Sequence, residues 1–435
     1  MKQSFYNTIV KLPNTEFYAI YNTKSGCLAL LNEKEYCNLN KPLNFKDWDS
    51  NTWEELKNAG FIVGKEFNEL EEIEYNMNKS RFSNSHLSLT IAPTADCNFR
   101  CSYCYEKNNI KMAYMKDETI CNLLKFIESE MKNKKYLNIC WYGGEPLLAV
   151  DIIEKISKKI FKIQEELGFN YEGSMVTNGY LLNRNMVLKL NKLHIDNYQI
   201  TLDGNKKYHD KRRFLKCGKG TYRQIIKNLT DINDICPNIS IRINVDKDNI
   251  NYISNLIGEL KSLDVHNKLF LYIGKVENYQ NIYDEGVCFN DREFYMEQVK
   301  FSKSYFEDSL RDIYPSVKSN FCCADNESSL IIGYDGSVYK CWSDIGEEKK
   351  IVGEIKDEGL RIYKTKYYYD LLTFNPTKEL YCSSCKYLPI CMGGCPYERI
   401  NAEKQCMKEK MNLESYIKEL SLEIIGGNYE NFNSK

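Results

Sequence analysis

No stretch of this 435-residue chain approaches the length of a transmembrane helix. Met1 to Thr8 lacks the apolar run behind a basic start that marks a signal peptide, and Lys11, Asn14 and Glu16 interrupt the next stretch. Net charge is nearly absent: 59 Lys+Arg against 60 Asp+Glu leave −1, without the basic field of a dedicated nucleic-acid binder. There is no internal repeat and no low-complexity tract. The expectation is a cytoplasmic chain with neither membrane nor nucleic acid as partner.

Hydrophobic residues make up 43%, enough for a real core, and the length calls for two or three domains. Residues 1–80 read as a small module: strands Phe17–Tyr21 and Cys27–Leu31, helical stretches Glu33–Leu39 and Trp53–Ala59, and a strand Phe61–Val63. Asn76–Asn84 is polar and reads as a linker. Residues 85–285 alternate strand and helix. The strand candidates are Leu87–Ile91, Leu137–Trp141, Ser174–Thr177, Tyr198–Leu202, Ile239–Val245 and Leu269–Ile273. Val150–Leu167 is the clearest helix, with Ile152, Ile153, Ile156, Ile160 and Ile163 at helical spacing. The pattern predicts an α/β fold with a parallel sheet, a partial (β/α)6 TIM-like barrel, with ligand chemistry at the C-terminal strand ends. Residues 286–320 are a polar, aromatic bridge, 321–410 are cysteine-rich, and 411–435 form a closing helix and tail, the helix spanning Met407–Ile425.

Eighteen cysteines are too many for ordinary packing in a reducing compartment, so metal-bound thiolates are expected. Cys27, Cys37, Cys121, Cys140, Cys217, Cys236 and Cys288 are scattered and suit small buried hydrophobes. The rest cluster. Cys97-Asn-Phe-Arg-Cys101-Ser-Tyr-Cys104 follows the first β/α strand. Three thiolates can hold three irons of a 4Fe–4S cluster and leave the fourth iron open to a small chelator. A structural zinc ion would want a fourth ligand, and no His lies in this loop.

This loop, with Tyr103 before its last cysteine and Gly143-Gly144-Glu145-Pro146 after the second strand, resembles the radical S-adenosylmethionine superfamily. The resemblance implies that Gly143, Gly144 and Glu145 bind the methionine end of the cofactor, the carboxylate facing its ammonium. Asn178 in Thr177-Asn178-Gly179, Thr201 and Asp203 in Thr201-Leu-Asp203-Gly204, and Arg242 and Asn244 resemble family positions near the ribose or carboxylate. His209-Asp210 and Arg213 fit the same pattern, and a solvated loop explains them nearly as well.

Farther on, Cys382-x2-Cys385-x5-Cys391-x3-Cys395, preceded by Cys322, Cys323 and Gly336-x4-Cys341 and trailed by Cys406, resembles the SPASM extension of peptide- and protein-modifying members. Family wiring implies two auxiliary 4Fe–4S clusters, the nearer on Cys322, Cys341 and Cys395 and the outer on Cys382, Cys385, Cys391 and Cys406. Cys323 or an open position would complete the nearer one. Zinc ribbons remain an alternative for this region on ligand count. The N-terminal module resembles the small winged-helix element that holds the leader segment of a ribosomal peptide as an added strand.

Together these imply an oxidoreductase of the thioether-forming maturase type (sactipeptide or ranthipeptide). Its partners would be a precursor peptide with a leader segment and a flavodoxin- or ferredoxin-type reductant. Its cofactors would be S-adenosylmethionine and three 4Fe–4S clusters, and no general base can be assigned. Anaerobic sulfatase maturases, which make formylglycine, are the alternative, as is carbon–carbon or carbon–oxygen crosslinking of a peptide. In sulfatase maturases an Asp directly follows a cluster cysteine and acts as base; here Trp342 follows Cys341, and Asp344 comes two residues later.

Overall fold

The computed structural model describes the chain apart from residues 237, 264–268, 279–281, 306–313, 358, 402–405, 407–412 and 427–435. Two compact units emerge. One gathers residues 1–81, 291–322 and 373–435; the other gathers 82–290 and 323–372.

The first unit starts with β1 (Lys2–Gln3), β2 (Asn7–Lys11), β3 (Tyr18–Asn22), β4 (Leu28–Leu31) and β5 (Ile62–Val63). β2, β3 and β4 form an antiparallel sheet in that order, and β1 pairs with β5. Alternation sends successive side chains to opposite faces. Ile20 and Leu31 pack with Leu39, Trp53 and Leu56 of the following helices, Glu33–Leu39 and Ser50–Asn58. Ala19 and Tyr21 pack on the other face with Tyr416, Ile417 and Leu420 of the helix Leu413–Gly426. The expected closing helix is therefore present from Leu413; its Met411 lies outside the described residues. The expected linker Asn76–Asn84 is a correction: Glu69–Arg81 is helical. Its charged surface masks a buried face of Ile73, Met77 and Arg81, whose guanidinium donates to Phe374 O.

The second unit holds six parallel strands, β6 (His86–Ile91), β7 (Tyr136–Trp141), β8 (Asn170–Thr177), β9 (Ile195–Thr201), β10 (Asn238–Val245) and β11 (Leu269–Lys275). They pair in sequence order with helices between them. This is an α/β fold built on a large parallel sheet, consistent with a partial barrel. β12 (Ser329–Ile332) adds to the outer edge of β6 in parallel, and β13 (Ser337–Tyr339), β14 (Gly353–Lys356) and β15 (Gly359–Ile362) extend it antiparallel. In β10, Ile239, Ile241, Ile243 and Val245 are buried, while Ser240, Arg242 and Asn244 between them stay partly open. One face of the sheet thus packs on helices, and the other presents polar groups at the strand ends. No helix among the described residues is long and apolar enough to cross a membrane.

Candidate active site

A cavity of about 340 Å³ opens at the C-terminal ends of these strands. Cys97, Cys101 and Cys104 line it together, although they come from a loop with no regular structure of its own. That loop is held as a strand would be. Arg100 N donates to Phe214 O (2.8 Å), Ser102 N to Arg212 O (2.9 Å), and Lys216 N to Asn98 O (2.9 Å). The Gly-Gly turn after β7 packs against its entry. Gly143 has φ +104°, and a Cβ there would lie 2.6 Å from Thr94 O. At Gly144 a Cβ would collide with Asp96 O, so neither position accepts a side chain without moving the loop.

Burial raises all three thiols, Cys104 to about 12. Three sulfurs sharing one wall suit a cluster, which takes one thiolate per iron. The donor set therefore fits a 4Fe–4S group with an open iron.

Of the other expected residues, Tyr103, Gly143, Gly144, Asn178, Thr201, Arg242 and Asn244 all border the cavity. Glu145 and Asp203 do not, and the reason is their hydrogen bonding. Glu145 is 1% exposed; it accepts from Thr177 Oγ1 (2.6 Å), Asn178 N (2.8 Å) and Leu147 N (3.1 Å). The expectation set this carboxylate against the cofactor's ammonium; here it is a strut tying the β7 and β8 loops. Asp203, fully buried, accepts from Tyr103 Oη (2.6 Å). Tyr103 Oη also accepts from Arg213 Nη1 (2.8 Å) and Asn244 Nδ2 (3.0 Å). Of the two readings open for His209-Asp210 and Arg213, the solvated loop does not hold: His209 is 0% and Arg213 8% exposed.

Sequence reasoning missed Tyr105, Glu106, Tyr142, Lys275 and Glu277, which also line the cavity. Tyr105 and Tyr142 share a hydroxyl–hydroxyl hydrogen bond, and burial pushes Glu106 up to about 7. Their positions, beside Cys104 or at the ends of β7 and β11, were the available signal. Trp342 lines the cavity too, its indole 4.4 Å from the Tyr142 ring. Asp344 does not: it is 1% exposed, accepts from Tyr367 Oη (2.7 Å), and burial raises it to about 6. Of the second cysteine group, Cys323 and Cys341 belong to this unit; Cys322, Cys382, Cys385, Cys391, Cys395 and Cys406 belong to the other.

Residues 91–281 match the Radical SAM superfamily. With three loop cysteines on the cavity wall beyond a parallel β/α sheet, the chain carries a Radical SAM domain, which supports an enzyme that uses S-adenosylmethionine and a 4Fe–4S cluster. Among its relatives, the cysteine-type anaerobic sulfatase-maturating enzyme of Clostridium novyi (strain NT) is 24% identical over 332 residues, 71% of this chain and 87% of that one. The serine-type anaerobic sulfatase-maturating enzyme of Klebsiella aerogenes is 24% identical over 333 residues, 69% of this chain and 77% of that one. Among solved structures, anSMEcpe with bound AdoMet superposes with TM-score 0.63 at 20% identity, covering 79% of this chain and 98% of that one. Streptococcus suis SuiB does so with TM-score 0.52 at 16% identity, covering 93% and 97%.

Proposed function

We propose that this enzyme matures a ribosomally made, cysteine-containing precursor peptide by forming thioether crosslinks between cysteine sulfur and a carbon of another residue. Cys97, Cys101 and Cys104 would hold the catalytic cluster. Gly143, Gly144, Asn178, Thr201, Arg242 and Asn244 would wall the S-adenosylmethionine site. When bound, these groups supply an adenosyl radical able to take a hydrogen atom from unactivated carbon. The chain's own part is to seat that carbon beside the radical and keep water out. In the second cysteine group, Cys322, Cys341 and Cys395 would serve one auxiliary cluster, and Cys382, Cys385, Cys391 and Cys406 another.

Trp342 carries the choice between thioether and formylglycine chemistry. At the position after the cluster cysteine, where the sulfatase reading needs a carboxylate base, an indole borders the cavity. The nearby Asp344 is turned to Tyr367. The N-terminal module supports a peptide partner, its sheet ending in an edge strand, β4, on which a leader segment can add. SuiB, the neighbour covering 93% of this chain, has also been solved bound to the precursor peptide SuiA. The sulfatase-maturating relatives favour formylglycine formation as the second reading.

The test is the mass of a short cysteine-rich peptide encoded beside this gene, after anaerobic co-expression with the enzyme. Each bridge removes two hydrogens from the peptide, so the mass falls by about 2 Da per bridge and the cysteines resist alkylation. The same loss with every cysteine still free points to carbon–carbon or carbon–oxygen crosslinking. An unchanged peptide, from an enzyme that still cleaves its cofactor, removes the proposal and returns the sulfatase reading.

A further inference from the structure

The His209-Asp210…Arg213 motif has no part in the proposed peptide chemistry, yet it backs the cysteine loop. Asp210 Oδ1 accepts from Thr221 N (2.8 Å) and Tyr222 N (2.9 Å). His209 Nε2 meets Thr221 Oγ1 at 3.0 Å, and Thr221 Oγ1 donates to Arg213 O (2.6 Å). These bonds fix the strip 212–216, which pairs with residues 98–102 of the cysteine loop.

Arg212 and Arg213, adjacent in sequence, are not equivalent. Arg212 lies between two buried carboxylates, 3.6 Å from Asp203 and 3.4 Å from Asp246, with its guanidinium 4.8 Å over the Tyr103 ring. Among the described residues Arg213 forms no ion pair with a carboxylate. Its Nη1 donates to Tyr103 Oη, and its buried Nε has no hydrogen-bond partner among the described residues. It borders the cavity with Cys97, Cys101 and Cys104. A buried guanidinium whose carboxylate neighbour, Asp203, is held off behind Tyr103 is costly, so something anionic should face it from the cavity. Tyr103, which lies between Cys101 and Cys104 in the loop, bonds both Arg213 and Asp203 through its hydroxyl.

We propose that Arg213 is the fixed counter-cation of the cluster held by Cys97, Cys101 and Cys104, raising its reduction potential, and that Asp203, across Tyr103, offsets it. The inference rests on the three cysteines holding that cluster. Reduction adds one electron, supplied by an external reductant, and so one unit of negative charge. A buried cation at the ligands favours the reduced state, and a buried anion disfavours it.

The experiment is an anaerobic redox titration of the reconstituted full-length enzyme, monitored by electron paramagnetic resonance. The catalytic cluster is identified as the signal that changes when S-adenosylmethionine is added. Against wild type, Arg213→Gln should shift the midpoint negative, Asp203→Asn should shift it positive, and Arg213→Lys should leave it nearly unchanged. A packing defect has no reason to give opposite signs at two neighbours. An unshifted or positive Arg213→Gln midpoint overturns the proposal, as does a common direction for Gln and Asn variants. If Arg213→Gln fails to keep its iron, Asp203→Asn decides: a positive shift supports the assignment, and any other result rejects it. Absence of a cofactor-responsive signal in wild type refutes the three-cysteine reading itself.

Discussion

The thiols of Cys97, Cys101 and Cys104 are raised by burial, so each stays protonated at neutral pH until iron displaces its proton. One missing thiolate leaves a cluster with too few ligands. Cys101→Ala should therefore lose about four irons per chain and all cofactor cleavage, read by iron assay and by 5′-deoxyadenosine formation. His209 makes a separate prediction. Burial, assisted by Arg213, holds its pKa well below the ordinary value. The unfolded chain therefore binds a proton below about pH 6.5 that the folded chain refuses. The stability His209 contributes is full above that pH and is lost as pH falls, by up to about 1.4 kcal/mol per unit. Urea denaturation at pH 7.5 and 5.5 should show a smaller drop in His209→Gln than in wild type. An equal drop would assign the acid sensitivity to other groups. The cysteine spacing made the loop legible in the sequence. The neutral, buried state of His209 was not, because it depends on Thr221 and on the 212–216 strip folding over it.

At the level of elements, the strands and the helix Val150–Leu167 were legible because each writes its own periodicity. Glu69–Arg81 was not, since only Leu70, Ile73 and Met77 mark its apolar stripe among several acids. β12 to β15 were missed for another reason: they are three or four residues each, and β12 is defined by its partner β6, more than two hundred residues earlier. Two element contacts yield tests. The β7 turn and the cysteine loop meet through backbone at Gly144, where an added methyl has no space. Gly144→Ala should cost about 1–3 kcal/mol, as overpacking does, and reduce cluster loading. A thermal melt and an iron assay check both, and unchanged values would mean the loop yields freely. At β4, Asn22 N donates to Cys27 O, so antiparallel alternation turns the Leu30 N–H away from β3, toward the edge that no strand among the described residues occupies. Leu30→Pro should then abolish binding of the precursor leader, measured by fluorescence anisotropy. Cofactor cleavage without peptide should persist. Unimpaired leader binding would place the peptide elsewhere.

For the whole molecule, chain order conceals the assembly. Segments 1–81, 291–322 and 373–435 form one compact unit, and the neighbouring cysteines Cys322 and Cys323 fall in different units. Spacing alone could announce a second metal-binding group, but it could not show how folding divides that group. Iron stoichiometry is the measurement at this scale. Three 4Fe–4S clusters require about twelve irons per chain, and zinc ribbons in the second group would leave about four irons beside stoichiometric zinc. Replacing Cys382 and Cys385 together by Ala removes two of the four thiolates expected at the outer cluster, which should lower iron by about four. The loop of Cys97, Cys101 and Cys104 belongs to the other unit, so S-adenosylmethionine cleavage should survive. Thioether formation should fail, because removing two hydrogens per bridge demands an electron acceptor beyond the adenosyl radical. If the double variant still crosslinks its peptide, the outer cysteines serve structure alone. If it loses zinc instead of iron, the second group is a ribbon, and the acceptor must be found elsewhere in the chain.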